Sequence, residues 1–229
     1  MVEENSLLDA IIFDFDGVLV DSVPVKTESF PALYESYGAE IQRQVVEYHL
    51  QHKGISREKK FLYYQQKLVA GKTDDDTLGF LAQRFAELVK TRVIACSQIC
   101  GSEAVLQRFN NVVPMYVASG TPETELREII SARGMELYFR GVYGSPASKA
   151  AIVANIIEAG NFDARRCVMV GDAIADFNAA FENKTRFVGV GPLGDTEFPA
   201  DTVVVPNLTK FVDSVAMMFN TSPERLIGP

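Results

Sequence analysis

Residues 8–22 read LDAIIFDFDGVLVDS, an apolar run that ends abruptly in a polar turn. The run from Leu8 to Phe13 is short and rich in residues that favour β-strands. Asp14, Asp16 and Gly17 follow it directly. An apolar run that leads into a polar, glycine-containing turn is typical of a buried parallel strand and its C-terminal loop. The stretch therefore predicts a first sheet strand with two carboxylates at its carboxyl end.

Similar apolar runs recur along the chain, and segments with helical periodicity separate most of them. We predict further strands at Val112–Ala118, Phe139–Tyr143, Cys167–Val170, Phe187–Val190 and Thr202–Val205. Helices are predicted at Glu123–Arg133 and Lys149–Ala159, with Gly134 and Gly160 at the points where they stop. Alternating strands and helices indicate an α/β protein with a doubly wound, Rossmann-like parallel sheet.

Residues 21–95 interrupt this alternation because they contain no convincing buried strand. They contain instead amphipathic stretches, among them Thr27–Tyr37, Arg57–Val69 and Asp75–Val89. Their net charge is +1, whereas the remainder of the chain carries −9. We therefore expect an α/β core formed by residues 1–20 and 96–229, with an inserted α-helical cap domain at residues 21–95.

The bulk composition excludes several classes of protein. The net charge of −8 argues against broad nucleic-acid binding, which needs a basic surface. The N-terminal residues are acidic and lack the pattern of a secretory signal, and no apolar run approaches the roughly 18 residues of a membrane span. We expect a cytoplasmic protein without a membrane or nucleic-acid partner, and a monomer by default.

Polar residues follow four of the predicted strands. They are Asp14 and Asp16, Ser119-Gly120-Thr121, Lys149, and Asp172 with Asp176. Ligands of open parallel sheets bind beyond the carboxyl ends of the strands, so these residues are expected to converge. Clustered carboxylates repel one another unless a cation is present, and oxygen ligands beside a phosphate suit Mg²⁺. A carboxylate can also be a covalent nucleophile toward phosphorus.

Four segments resemble the signatures of the haloacid dehalogenase-like hydrolase superfamily. Asp14–Ser22 resembles the first, Val117–Thr121 the second, Lys149 within residues 144–149 the third, and Gly171–Asp176 the fourth. The resemblance implies that Asp14 attacks phosphorus. It also implies that Asp16 protonates the leaving alcohol and then activates water.

The resemblance further implies a set of binding roles. Asp14, Asp172 and the backbone carbonyl of Asp16 would hold Mg²⁺. Asp176 would support the metal or orient Lys149. Ser119, the Gly120 amide and Lys149 would bind the phosphoryl group. One departure from the family pattern is Ala173, where many relatives have a hydroxyl-bearing residue.

The presence of Asp16 favours phosphate monoester chemistry, because true dehalogenases of the superfamily lack this second aspartate. The resemblance therefore implies a Mg²⁺-dependent phosphatase that acts on a small phosphorylated metabolite. Two alternatives remain open. One is a phosphomutase of the β-phosphoglucomutase type, and the other is a non-catalytic module that binds a phosphorylated metabolite.

The segment Lys53–Glu58 resembles the cap loop of β-phosphoglucomutase-like proteins, where an arginine grips a distal anionic group of the substrate. Arg57 and Lys53 are therefore candidate substrate ligands. The alternative is an exposed, charged helix start capped by Ser56. Lys26 replaces a histidine that is usual in the mutases, and it either faces an anionic substrate or is solvated. His49, like His52, is expected at the surface or in the core rather than as a ligand.

Overall fold

The computed structural model describes residues 7–194 and 197–227, and its centre is a six-stranded parallel sheet. The strands are β1 (Ala10–Phe13), β2 (Met115–Pro122), β3 (Gly141–Ser145), β4 (Cys167–Gly171), β5 (Arg186–Val190) and β6 (Val204–Val205). Their order is β3-β2-β1-β4-β5-β6. The predicted doubly wound sheet is confirmed. Residues 1–6, 195–196 and 228–229 of the predicted core lie outside the described residues.

Helices occupy the first four connections between the strands, and a last helix follows β6. Those between β1 and β2 are α1 (Val23–Ala32), α2 (Ala39–Gln51), α3 (Arg57–Tyr63), which continues as a π-helical turn (Tyr64–Leu68), α4 (Asp75–Ala95) and α5 (Ser102–Phe109). The later ones are α6 (Glu123–Ala132), α7 (Lys149–Gly160), α8 (Ile174–Glu182) and α9 (Phe211–Met218). α2, α5, α8 and α9 have no counterpart among the stretches predicted from the sequence.

β1 lies in the middle of the sheet and is buried on both faces. Ile11 and Phe13 belong to one apolar cluster with residues of α5, α6 and α9. Ile12 belongs to a second cluster with residues of α7 and α8. Successive side chains of a strand point to opposite faces, so a strand covered on both faces needs a continuous apolar run. This explains the sequence pattern of residues 10–13.

Several predicted boundaries are wrong, among them those of β2 and the end of α7. β2 begins at Met115 and extends to Pro122, so Ser119-Gly120-Thr121 forms its end rather than the loop after it. Its pairing with β3 is irregular between Ala118 and Pro122. α7 includes Gly160, and Asn161 ends the helix in the left-handed conformation, which asparagine tolerates better than most residues.

The segment from α1 to α4 contributes a group of buried aromatic rings to the apolar cluster that contains Ile11 and Phe13. Its buried rings include Phe30, Tyr34, Phe61, Tyr64 and Phe85. The rings of Phe30 and Phe85 stack with their centroids 4.1 Å apart. α4 also packs against α6, which joins this helical segment to the sheet core. None of the helices in the described part of the chain is long and apolar enough to span a membrane.

Candidate active site

Asp14 stands at the carboxyl end of β1, and its side chain is buried. Its backbone N–H donates to the Val170 carbonyl of β4 at 2.8 Å, which fixes the residue to the sheet. One carboxylate oxygen accepts the Phe15 N–H at 2.7 Å, and the other lies 2.7 Å from Lys149 Nζ. Lys149 Nζ also lies 2.5 Å from Asp176 Oδ1. The buried ammonium therefore bridges two carboxylates.

The carboxylates of Asp14, Asp172 and Asp176 form a cluster that fits a metal ion. One oxygen of each lies within 4.8 Å of the others. Gly17 makes room for this cluster, because a Cβ at that position would stand 2.6 Å from Asp172 Oδ2. Gly17 also has φ of +78°, a conformation that residues with side chains rarely adopt. An all-carboxylate group at this edge suits a hard divalent cation such as Mg²⁺.

The electrostatics of the cluster reflect its crowding. Burial, followed by repulsion from Asp14, raises the pKa of Asp172 to about 7, and Lys149 only partly opposes the shift. Burial also raises the pKa of Asp14 and, more strongly, that of Asp176. For Lys149, burial disfavours the charged form, but Asp14 and Asp176 outweigh it and raise the pKa. Together, the three carboxylates carry more negative charge than one lysine compensates.

Asp16 has a different environment, because several donors converge on its carboxylate. They are Ser22 Oγ at 2.6 Å, Lys26 Nζ at 2.5 Å, Thr121 Oγ1 at 3.0 Å and Ser119 Oγ at 3.4 Å. Burial alone would raise the pKa of Asp16, but Lys26 and the hydroxyl donors outweigh it and lower the pKa to about 2. Asp14 and Asp16 are thus two residues apart in sequence with opposite pKa shifts.

Ser22 and Thr121 both contact Asp16, but the sequence predicts no role for either of them, although both lie within the quoted signatures. A spacing of six residues between Asp16 and Ser22 does not reveal that their side chains meet. The solvated alternative for Lys26 is wrong, because only 15% of its side chain is exposed and it pairs with Asp16. Lys26 also donates to Thr121 Oγ1 at 2.8 Å. This one lysine therefore connects α1 to the loop after β1 and to β2.

The loop before α3 closes over the sheet edge. A Cβ at Gly120 would lie 2.9 Å from the Gly54 carbonyl oxygen, so the two backbones touch. Lys53 and Arg57 line the same cavity as Asp14, Asp16, Ser119, Gly120 and Asp172. The structure therefore brings these predicted site residues together around one cavity. Lys149 and Asp176 are linked to it through Asp14.

Arg57 is not an exposed helix start, so that alternative is wrong. Only 4% of its side chain is exposed, and its two terminal nitrogens donate to the Glu125 carboxylate of α6 at 2.8 and 2.6 Å. Its guanidinium also lies 4.9 Å from the centroid of the Phe85 ring. Ser56 occupies the N-cap position of α3, but its side chain makes no capping hydrogen bond.

Residues 8–182 match the family described as haloacid dehalogenase-like hydrolase. The chain belongs to this family. The resemblance seen in the four signatures is thereby confirmed, and the match covers β1 to α8 of the haloacid dehalogenase-like hydrolase fold.

Solved structures give the same fold over nearly the whole chain. A β-phosphoglucomutase from Clostridium difficile superposes with a TM-score of 0.75 and 18% identity, covering 93% of this chain and 97% of that one. A predicted phosphatase from Clostridium acetobutylicum gives 0.73 and 19%, covering 93% and 100%. A predicted phosphoglycolate phosphatase from Haemophilus somnus gives 0.70 and 14%, covering 92% and 99%. At these identities the likeness establishes the fold.

One curated relative matches part of the chain. It is a 5'-nucleotidase from Pseudomonas aeruginosa, 28% identical over 82 residues, which are 34% of this chain. The match spans about a third of the relative's length, 37%. Membership of the hydrolase family is therefore shown, while the reaction and the substrate are matters for proposal.

Proposed function

We propose that the protein is a Mg²⁺-dependent phosphomonoester hydrolase that works through an aspartyl-phosphate at Asp14. The observation that carries the proposal is the contrast between Asp14 and Asp16. Both line one cavity, but Asp14 belongs to a metal-sized carboxylate cluster, whereas Asp16 is held by Lys26 and hydroxyl donors. Paired carboxylates whose environments separate their pKa values are suited to different roles in one reaction.

In the first half of the reaction, an Asp14 carboxylate oxygen attacks phosphorus and the bond between phosphorus and the alcohol oxygen breaks. Asp16 gives its proton to the departing alcohol. In the second half, Asp16 takes a proton from water, which attacks phosphorus. The acyl phosphate bond breaks, and inorganic phosphate leaves with Asp14 restored.

The resting charge of Asp16 suits the second half, because its lowered pKa keeps it ionised in the free protein. The first half requires a protonated Asp16. A dianionic phosphate in the cavity would compete for the Lys26 ammonium and would itself repel the Asp16 carboxylate. Both effects favour protonation of Asp16 when substrate is bound.

Mg²⁺, when bound, would offset the charge of the phosphate and of the carboxylates around it. We propose Asp14, Asp172 and the backbone carbonyl of Asp16 as its protein ligands. Asp176 is better suited to orienting Lys149 than to binding the metal directly. One of its oxygens faces Lys149, and the other accepts the Ala173 N–H at 3.2 Å. This contact also engages the backbone at Ala173, the position that departs from the family pattern.

We further propose that residues 21–95 act as a cap that closes over a small phosphorylated metabolite. Ser119, Gly120 and Lys149 would hold the phosphoryl group, and Lys53 and Arg57 would face the rest of the substrate. Arg57 would do so while paired with Glu125. Closure by a helical cap excludes water and lets the cap select the leaving group. We place this activity in a cytoplasmic monomer.

A phosphate-release screen over phosphorylated metabolites tests the proposal. Wild type, Asp14→Asn and Asp21→Asn are run with Mg²⁺ and with EDTA. Asp21 is exposed, so its variant makes the same chemical change beside the site. We expect Mg²⁺-dependent release from a narrow set of esters, lost by about a thousandfold or more in Asp14→Asn and retained in Asp21→Asn.

Other outcomes identify the alternatives. Bisphosphate-primed isomerisation of a sugar phosphate without net phosphate release would indicate a phosphomutase. Tight binding of a phosphorylated metabolite without turnover or labelling of Asp14 would indicate a binding module. Full activity of Asp14→Asn would refute the covalent mechanism.

A further inference from the structure

Lys60 is a buried cation in the active-site cavity without a carboxylate partner. Its residue exposure is 3%, and it lines the cavity that contains Asp14 and Asp16. The contacts of its ammonium are His49 Nδ1 at 2.8 Å and the Phe30 ring, whose centroid lies 5.3 Å away. Among the residues that the structure describes, it makes no salt bridge. A buried charge without a counter-ion is unfavourable, so an anion that bound beside Lys60 would offset this cost.

His49 carries a second unsatisfied group at the same place. When Lys60 is an ammonium it can only donate, so His49 Nδ1 then accepts and the ring proton lies on Nε2. His49 is 5% exposed and lines the cavity, and its Nε2 atom is buried without a hydrogen-bond partner in the described part of the chain. An unpaired buried N–H costs stability unless a ligand supplies the acceptor.

Of the other cations that line the cavity, Lys53 is half-buried, and Lys26 and Arg57 are already engaged. Lys26 pairs with Asp16, and Arg57 pairs with Glu125. Lys149 bridges Asp14 and Asp176 beneath the cavity, so it belongs to the nucleophile's surroundings. The buried positive charge left for a ligand therefore lies at Lys60, on the side of the cavity formed by α2 and α3.

We propose that Lys60 and His49 bind a second anionic group, a carboxylate or a phosphate, on the substrate whose phosphate is cleaved at Asp14. The inference rests on the proposed phosphatase function and narrows its substrate class to small doubly anionic esters. An anion there would accept from both Lys60 and the His49 N–H. Burial lowers the pKa of Lys60 to about 7, and an adjacent anion would favour its charged form again.

Three esters that differ in one group test the inference. They are 2-hydroxyethyl phosphate, which has no second anion, 2-phosphoglycolate, which has a carboxylate, and ethylene glycol bisphosphate. The quantity measured is the ratio of kcat/KM for each anionic ester to that for the hydroxyl ester. We expect wild type to prefer at least one anionic ester by about tenfold or more, and the preferred ester distinguishes carboxylate from phosphate.

Lys60→Met should remove about tenfold or more of that preference, since methionine fills the space without the charge. Lys59→Met is the matched control, because Lys59 is the exposed neighbour and should leave the ratio unchanged. His49→Phe, which keeps the ring and removes the N–H, should lower the ratio independently. Equal losses on all three esters, or an unchanged ratio in both site variants, would overturn the inference.

Calorimetric titration separates this inference from the proposed function. If wild type releases phosphate from none of the esters, the phosphatase proposal fails. Titration of the same esters into the Mg²⁺-loaded protein then still decides the inference. Tighter binding of an anionic ester, lost in Lys60→Met, would support it, and equal affinity for all three would overturn it.

Discussion

The ion pair between Arg57 and Glu125 joins the helical segment to the sheet core, and its removal is a sharp test of the structure. The side chains are 4% and 11% exposed, and two N–H···O bonds of 2.8 and 2.6 Å connect them. In Glu125→Ala, Arg57 would keep the ring of Phe85 and a long contact of 3.5 Å to the Ala82 carbonyl. Neither replaces a carboxylate.

Removing one partner of a buried ion pair costs about 3–5 kcal/mol, because the other charge stays buried and unpaired. Arg57 lines a cavity that water can enter, so we expect the lower end, about 3 kcal/mol. Glu128 provides the matched control on the same helix. It pairs with Lys90 of α4, but the two side chains are 52% and 41% exposed. Exposed pairs contribute about 0–1 kcal/mol, so Glu128→Ala should change little.

Urea unfolding followed by circular dichroism measures both variants, and a double-mutant cycle with Arg57→Met isolates the pair. The coupling between Arg57 and Glu125 should reach about 2 kcal/mol. If Glu125→Ala costs no more than Glu128→Ala, or if the cycle shows no coupling, the two charges do not form a buried pair in solution. That result would mean that Arg57 is not engaged by Glu125 and is free to bind substrate.

Three further predictions concern the carboxylate cluster. Gly17→Ala should destabilise the protein by about 1–2 kcal/mol, measured by urea unfolding, because it forces a side chain into φ of +78° and against Asp172; no change would contradict the close approach. Without Mg²⁺, thermal stability should fall as pH rises from about 4 to about 7. The pKa of Asp172 is about 7 in the folded protein, and its ordinary value is 3.8. Between these two pH values the unfolded state loses this proton more readily than the folded state, so a rise in pH favours unfolding. Asp172→Asn should flatten this slope in calorimetric scans, and an unchanged slope would remove Asp172 as its cause. Beryllium fluoride with Mg²⁺, a mimic of the phospho-aspartate, should raise the melting temperature of wild type but not of Asp14→Asn; equal shifts would mean binding elsewhere.

The core of the protein was largely predictable because its signals are local. A buried parallel strand must be apolar on both faces, so the strands appear as short continuous runs such as residues 10–13. The polar residues that end these runs meet at one edge by the geometry of parallel strands. Asp14, Ser119, Lys149 and Asp172 could therefore be placed together before any coordinates were known.

The environment of each group was not predictable, because it depends on contacts between distant parts of the chain. Glu125 lies 68 residues beyond Arg57, and no local sequence pattern predicts that the two side chains pair. The loop motif alone suggested a free arginine. Lys60 lies in the charged sequence that opens α3, but the packing of α3 against Phe30 and His49 buries it.

The sequence by itself determined the strands of the parallel sheet and the inventory of chemical groups at its carboxyl edge. Strand periodicity and chain connectivity involve residues that are close in sequence, so both can be recognised from the sequence alone. Only the tertiary structure decided which cations are paired and which are left for a ligand. Burial and charge pairing depend on distances of a few ångströms between elements, and these distances are set when α1 to α4 fold over the sheet.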